Sequence, residues 1–121
     1  CHVPLSDETR DLFNRQRFEQ MKPGAMFINT SRGEVVNETA LVEALQNKQL
    51  AGAALDVRSS EPPAPSRLEQ MENVILTPHI AAFTSEAQER VVAAVCQDVT
   101  AVLQGQQAVN GFNFSQPVQQ G

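Results

Sequence analysis

Residues 25–57 read AMFINTSRGEVVNETALVEALQNKQLAGAALDV: an apolar run, a polar turn, an amphipathic stretch and a second apolar run in succession. Ala25–Thr30 is continuously apolar until its last two residues and is bounded by Gly24 and by Ser31-Arg32-Gly33. That pattern reads as a short strand buried on both faces. Asn37 followed by Glu38 opens a helix that runs to about Gln46, with Leu41, Ala44 and Leu45 on one face and Asn47-Lys48 at its end. Leu50–Val57 is the second apolar run, interrupted only by small residues. A helix of about ten residues between two such runs makes a βαβ unit, whose strands must be parallel and whose crossover is right-handed.

Working outward, Asn73–Thr77 is a third short apolar run, so three strands are expected in one parallel sheet. Between the second and third runs lies Arg58–Ser66, which Pro62, Pro63 and Pro65 make extended and stiff, and then Arg67–Glu72, read as a helical turn. Upstream, Pro4 keeps Cys1–Leu5 out of a central strand, so the segment reads as a strand exit. A helical turn near Glu8–Leu12 and a helix over Arg15–Met21 follow, stopped by Lys22-Pro23-Gly24. Downstream, Thr84 or Ser85 is an N-cap, and Ser85-x-x-Gln88 has capping-box spacing. Val91, Val95, Val99 and Val102-Leu103 then trace one face of a helix of about five turns, to Gly105. The tail from Gln106 to Gly121 is expected to be loose unless Phe112 and Phe114 dock.

Charge and composition exclude several classes. Nine Lys and Arg against 14 Asp and Glu, a net charge of −5, leave no basic surface for a phosphate backbone or an anionic membrane. The apolar runs fall far short of the roughly 20 residues a bilayer crossing needs. Cys1 and Cys96 form no CxxC and no ligand spacing, so neither a disulfide framework nor a metal site is expected, and a reduced, cytoplasmic setting fits. No signal peptide is read. The chain opens on Cys1, directly on a strand exit, and is expected to be a piece of a longer protein.

In open parallel sheets, ligands bind beyond the carboxyl ends of the strands. After the first strand come Thr30-Ser31-Arg32-Gly33; at the end of the second comes Asp56, with Glu61 a few residues on; after the third comes Thr77-Pro78-His79. Singly, each is an ordinary loop, cap or turn residue. Together they supply a fixed cation, a proton donor and a carboxylate able to orient that donor, the set needed to reduce a carbonyl lying next to a carboxylate.

Four ordered motifs also resemble a known family. Ile28–Asn37, Leu50–Val57, Ser60-Glu61-Pro62 and Leu76–Ala81, with His2-Val3-Pro4-Leu5 and Met21–Ala25 before them, are similar to the C-terminal motifs of the D-isomer-specific 2-hydroxyacid dehydrogenases, over residues 1 to about 104. The fold this implies is α/β, a Rossmann-like parallel sheet with flanking helices present as its C-terminal half, plus a long C-terminal helix. Residues 1–83 would be the second half of an NAD(P)-binding domain, 84–104 a helix returning toward a substrate domain, and 105–121 a tail.

By the same resemblance Arg32 grips the carboxylate and carbonyl oxygen of a small 2-keto acid, of glyoxylate, hydroxypyruvate or phosphoglycerate type, a task for a planar fork. His79 is the proton donor in reduction and the base in oxidation, with Glu61 its partner. Asp56 holds the nicotinamide end of NAD or NADP, while Val3, Pro4, Thr30 and Ser31 line the cofactor's path, and Arg32 and His79 also face it. A homodimer is implied for the full-length protein, and a dinucleotide-sensing corepressor of the same family is the alternative function. Members commonly carry an aromatic residue where Arg58 stands and small residues where Ala82-Phe83 stand, so a different pocket wall is expected. Glu61, where formate-oxidising relatives have glutamine, argues against formate. No GxGxxG occurs among the six glycines, so the half that anchors the pyrophosphate and chooses NAD over NADP lies upstream. The piece by itself is expected to be inactive.

Overall fold

Each of the three helices opens on a side chain that accepts a backbone N–H its first turn leaves unpaired. In the computed structural model, which describes residues 1–111, Asn14 Oδ1 accepts Arg17 N–H at 3.1 Å ahead of α1, Arg15–Glu19, and Asn37 Oδ1 accepts Ala40 N–H at 3.0 Å ahead of α2, Glu38–Gln46. Thr84 Oγ1 accepts Ala87 N–H at 3.1 Å ahead of α3, Ser85–Leu103. The cap is therefore Thr84, and the capping box expected from Ser85 and Gln88 does not form: Ser85 is already helical, and Gln88 Nε2 donates to the Ala82 carbonyl. At the far end Gly105 has φ 73°, and the N–H groups of Gly105 and Gln106 return to the carbonyls of Val102 and Ala101, a paired closure that only a left-handed residue allows.

The strands are β1, Ala25–Asn29, β2, Leu50–Leu55, and β3, Val74–Leu76, all parallel and in the order β1-β2-β3. Asn29, Leu55 and Leu76 lie side by side, so the three strands finish level and their following loops share one edge. Two single turns of 3₁₀ helix, Gly33–Val35 and Leu68–Gln70, complete the regular structure of the described residues; the second stands where Arg67–Glu72 reads as a helical turn. Residues 7–11 form a hydrogen-bonded turn on the Ser6 carbonyl rather than a helix, and Asp11 leaves it with φ 51°.

Cys1–Ala81 is one compact unit, and a second begins at Ala82. In the first, Phe18, Phe27, Leu41, Leu45, Leu50 and Leu55 pack α1 and α2 against one face of the sheet. The Phe27 ring meets those of Phe13 and Phe18 at 4.9 and 5.4 Å. β1 is not buried on both faces as its unbroken apolar run implies. Phe27 and Asn29 are buried, but Met26 and Ile28 on the opposite face are 74% and 56% exposed, because α1 and α2 both cover the same side. Phe112 and Phe114, whose docking would order the tail, lie outside the described residues.

Candidate active site

The loop after β1 is built on Asn29, a fully buried amide at the end of an apolar strand. Its Nδ2 donates to the Arg32 carbonyl at 2.9 Å, and its Oδ1 accepts the Ser31 N–H at 3.0 Å and the Ser31 hydroxyl at 2.9 Å. One side chain thus closes the turn that turns Arg32 outward. The Arg32 guanidinium is exposed, donates to the Ser31 carbonyl at 2.7 Å, and has no carboxylate partner among the described residues. Gly33, next in line, packs directly on the following loop: a Cβ there would stand 1.9 Å from the Arg58 carbonyl carbon and oxygen.

Asp56 directly follows β2 and is buried, yet its carboxylate is occupied by donors of the third loop. Thr77 Oγ1 and the Ile80 N–H donate to Oδ1, and the Ala81 N–H donates to Oδ2 at 2.9 Å. Burial pushes the Asp56 carboxyl up, but the hydrogen bonds from Thr77, Ala81 and Ile80, with the His79 charge, outweigh it and hold the group below the usual carboxylate range. Asp56 also takes part through its backbone, since its carbonyl accepts the His79 N–H at 2.8 Å.

These bonds hold His79 in a left-handed conformation, φ 56°, that a non-glycine residue adopts only when its surroundings impose it. The result is that the ring meets the second loop: His79 Nδ1 lies 2.8 Å from Glu61 Oε2, with both side chains about half exposed, 49% and 45%. A carboxylate is an acceptor only, so Nδ1 carries the proton of this bond and Nε2 is left for another partner. The hydrogen bond from His79 is the largest influence on Glu61 and draws its carboxyl below the ordinary range.

The geometry joins some of the expected residues directly and others through the backbone. Glu61 and His79 touch; Asp56 holds the His79 loop; Arg32 is tied to the Glu61 loop by the Gly33–Arg58 contact. Thr30 and Asp56 share a cavity of about 210 Å³ floored by Ile28, Ala54, Ile75 and Ile80. Ser31 is committed to Asn29 and lies 3.4 Å from Cys1 Sγ, which sets Cys1–Leu5 beside the end of β1. There Val3 packs against the core, and the Pro4 carbonyl accepts the Thr9 hydroxyl at 2.7 Å. Arg58 does not stand in the cleft as a replacement for an aromatic wall; its side chain is turned inward and buried. Asn29, Gly33 and Thr77 lie inside the motifs and Arg58 just beyond Leu50–Val57, but none of them is given a site role there; of these only Asn29, a polar residue ending an apolar run, carries a local signal.

No group of three or more His, Cys, Asp or Glu side chains among the described residues could hold a metal ion, and no described helix is long and apolar enough to cross a membrane. Among known proteins, the family described as D-isomer specific 2-hydroxyacid dehydrogenase, NAD binding domain, matches residues 1–81. The D-3-phosphoglycerate dehydrogenase of Synechocystis is 46% identical over 113 residues, 93% of this chain and 20% of its own length. The glyoxylate reductase of Thermofilum pendens is 47% identical over 106 residues, 87% of this chain and 31% of its own. The chain thus spans about a fifth to a third of the curated relatives it matches. A crystal structure of a D-isomer specific 2-hydroxyacid dehydrogenase from Xanthobacter autotrophicus in complex with NADPH and MES superimposes with a TM-score of 0.81 at 36% identity, over 93% of this chain and 46% of that one.

Proposed function

The chain belongs to the D-isomer specific 2-hydroxyacid dehydrogenase family, through its NAD binding domain, and from that premise we propose that its full-length protein is an NAD(P)-dependent oxidoreductase interconverting a small 2-keto acid and the D-2-hydroxy acid. Within it, residues 1–83 serve as the second half of the nucleotide-binding domain, 84–104 as the helix leading back to the substrate domain, and 105–121 as a tail; the piece alone is inactive. The relatives' names favour a substrate of glyoxylate or phosphoglycerate type, and hydroxypyruvate belongs to the same proposed class.

The observation that carries the reading is the 2.8 Å His79–Glu61 pair on the edge of the sheet from which an unpaired Arg32 also projects. Arg32 binds the substrate carboxylate and polarises the adjacent carbonyl; a guanidinium makes both contacts from one plane. His79, with Nδ1 committed to Glu61, presents Nε2 to the carbonyl oxygen, gives its proton as charge develops there, and takes it back in the oxidative direction. Glu61 fixes the ring's tautomer and orientation.

NAD or NADP suits the apolar cavity rimmed by Thr30 and Asp56, which is open to a flat ring at the strand ends. When bound, the dinucleotide supplies the hydride chemistry. Asp56 and Thr30 would hold its nicotinamide end, with Ser31, Val3 and Pro4 along its path and Arg32 and His79 on the substrate side. The family resemblance supports a homodimer of the full-length protein, and two free cysteines fit a reduced, cytoplasmic setting.

The test is 2-keto acid-dependent NADH oxidation by the full-length protein and its His79→Ala variant. Loss of a general acid lowers kcat by about 10²–10⁴, with NADH binding by fluorescence titration retained. A loss below about tenfold refutes the role of His79.

A further inference from the structure

Three prolines stiffen the loop that carries Glu61, so whatever anchors the loop's ends decides where the carboxylate stands. Both ends are held by one side chain. Arg58, 8% exposed, gives Nε and Nη2 to the two oxygens of Glu38 at 3.0 and 2.9 Å, Nη1 to Glu69 at 2.8 Å, and Nη2 again to the Ser66 hydroxyl at 3.0 Å. Glu38, the first residue of α2, also accepts the Ser59 N–H at 2.8 Å. Glu69 accepts both the N–H and the hydroxyl of Ser66 at 2.8 Å. The guanidinium thus ties the loop's start to α2 and its finish to the 3₁₀ turn, and the fork geometry fits two carboxylates at once. Glu61, three residues from this anchor, has His79 as its one side-chain hydrogen-bond partner among the described residues.

We propose that Arg58 is a positioning residue for the proton relay: by clamping both ends of the 58–66 loop to Glu38 and Glu69, it holds the Glu61 carboxylate against the ring of His79. The inference rests on reading that pair as the relay. It differs from a merely structural role because releasing the clamp frees Glu61 from the hydrogen bond that holds its carboxyl below the ordinary range. The acid limb of the rate profile must then move.

The experiment uses the full-length protein with Arg58→Met, Arg58→Lys, Glu69→Gln and, in parallel, His79→Ala, measuring kcat and KM for the 2-keto acid across pH together with Tm. Arg58→Met is expected to lower kcat about tenfold or more, to leave the 2-keto acid KM within about threefold because Arg32 still binds the carboxylate, and to move the acid limb of kcat to higher pH. Lysine, which keeps the charge but not the fork, recovers part of the loss. Glu69→Gln, removing one arm at an exposed position, gives a smaller change in the same direction. Wild-type kcat with an unmoved acid limb in folded Arg58→Met overturns the inference. If that variant does not fold, the same result in Glu69→Gln overturns it. Should His79→Ala retain activity, the relay itself falls; should it lose activity while the clamp variants do not, only the role of Arg58 falls.

Discussion

Gly33→Ala is the most direct test of how the loops are brought together. The added Cβ would lie 1.9 Å from both the carbon and the oxygen of the Arg58 carbonyl and 2.5 Å from the Ser59 nitrogen. Contacts become ordinary only at 3.4 Å, so the two backbones must part by about 1.5 Å, the difference between 3.4 and 1.9 Å. The obstacle is main chain clamped by Glu38, not the end of a flexible side chain, and it cannot swing aside. Gly33 does not have the positive φ of Gly24 or Gly105, so the cost comes from lost space rather than backbone strain. Overpacking of this kind costs about 1–3 kcal/mol, and the upper end applies where both partners are fixed. The functional cost is larger than the energetic one. Arg32 precedes Gly33 and Glu61 follows Ser59, so parting these backbones shifts the guanidinium relative to the relay by about 1 Å, worth about 10² in kcat/KM. Urea unfolding and steady-state 2-keto acid reduction by the full-length variant read both. An alanine variant within about 0.5 kcal/mol of wild type and within threefold in kcat/KM would refute the close-approach reasoning.

Two further substitutions address the supports of the site. The Asp56 carboxyl is held below the ordinary carboxylate range in the folded chain, so it contributes stability above that range, and the contribution disappears as the pH falls through it to the lower folded value. Asp56→Asn should cost about 1–3 kcal/mol at neutral pH through the bonds from Thr77, Ile80 and Ala81, and should make stability fall less steeply in acid; denaturation midpoints with an unchanged acid slope would count against it. Asn29→Ala removes the part-buried bonds to the Arg32 carbonyl and the Ser31 N–H, at about 0.5–1.5 kcal/mol each. Because the turn aims Arg32, the 2-keto acid KM should rise more than kcat falls, and a variant whose loss is confined to kcat would contradict that placement.

The chemistry on the edge of the sheet has a plain energetic logic. Two of its polar residues, Asn29 and Asp56, are spent holding backbone, while Arg32, Glu61 and His79 keep their tips accessible. The rigid supports are buried in the unit Cys1–Ala81, and the ends of the three side chains proposed to act on substrate are exposed. The left-handed backbone of His79 fits the same division: the strained residue is the one whose direction matters, and the Asp56 carboxylate with its flanking N–H donors supplies the constraint.

Much of this protein is legible in its residues one stretch at a time. Apolar runs at Ala25–Ile28, Leu50–Leu55 and Val74–Leu76, the caps Asn37 and Thr84, and the closing Gly105 determine the parallel three-stranded sheet and two of the helices, because hydrophobic period and capping act within a few residues of chain. The order of Arg32, Asp56, Glu61 and His79 after those runs is enough to propose a site at the strand ends. Tertiary structure alone decided the rest. An unbroken apolar run names a strand without telling how many of its faces are covered, and helices α1 and α2 cover one face, leaving Met26 and Ile28 outside. Arg58 reads as part of an altered pocket wall until the fold brings Glu38, twenty residues earlier in sequence, beside it. Gly33 shows no reason to be glycine until Arg58 arrives at its Cα. Each of these depends on which loops the level ends of parallel strands bring together, and that is set by the register of the sheet rather than by any neighbour in the chain.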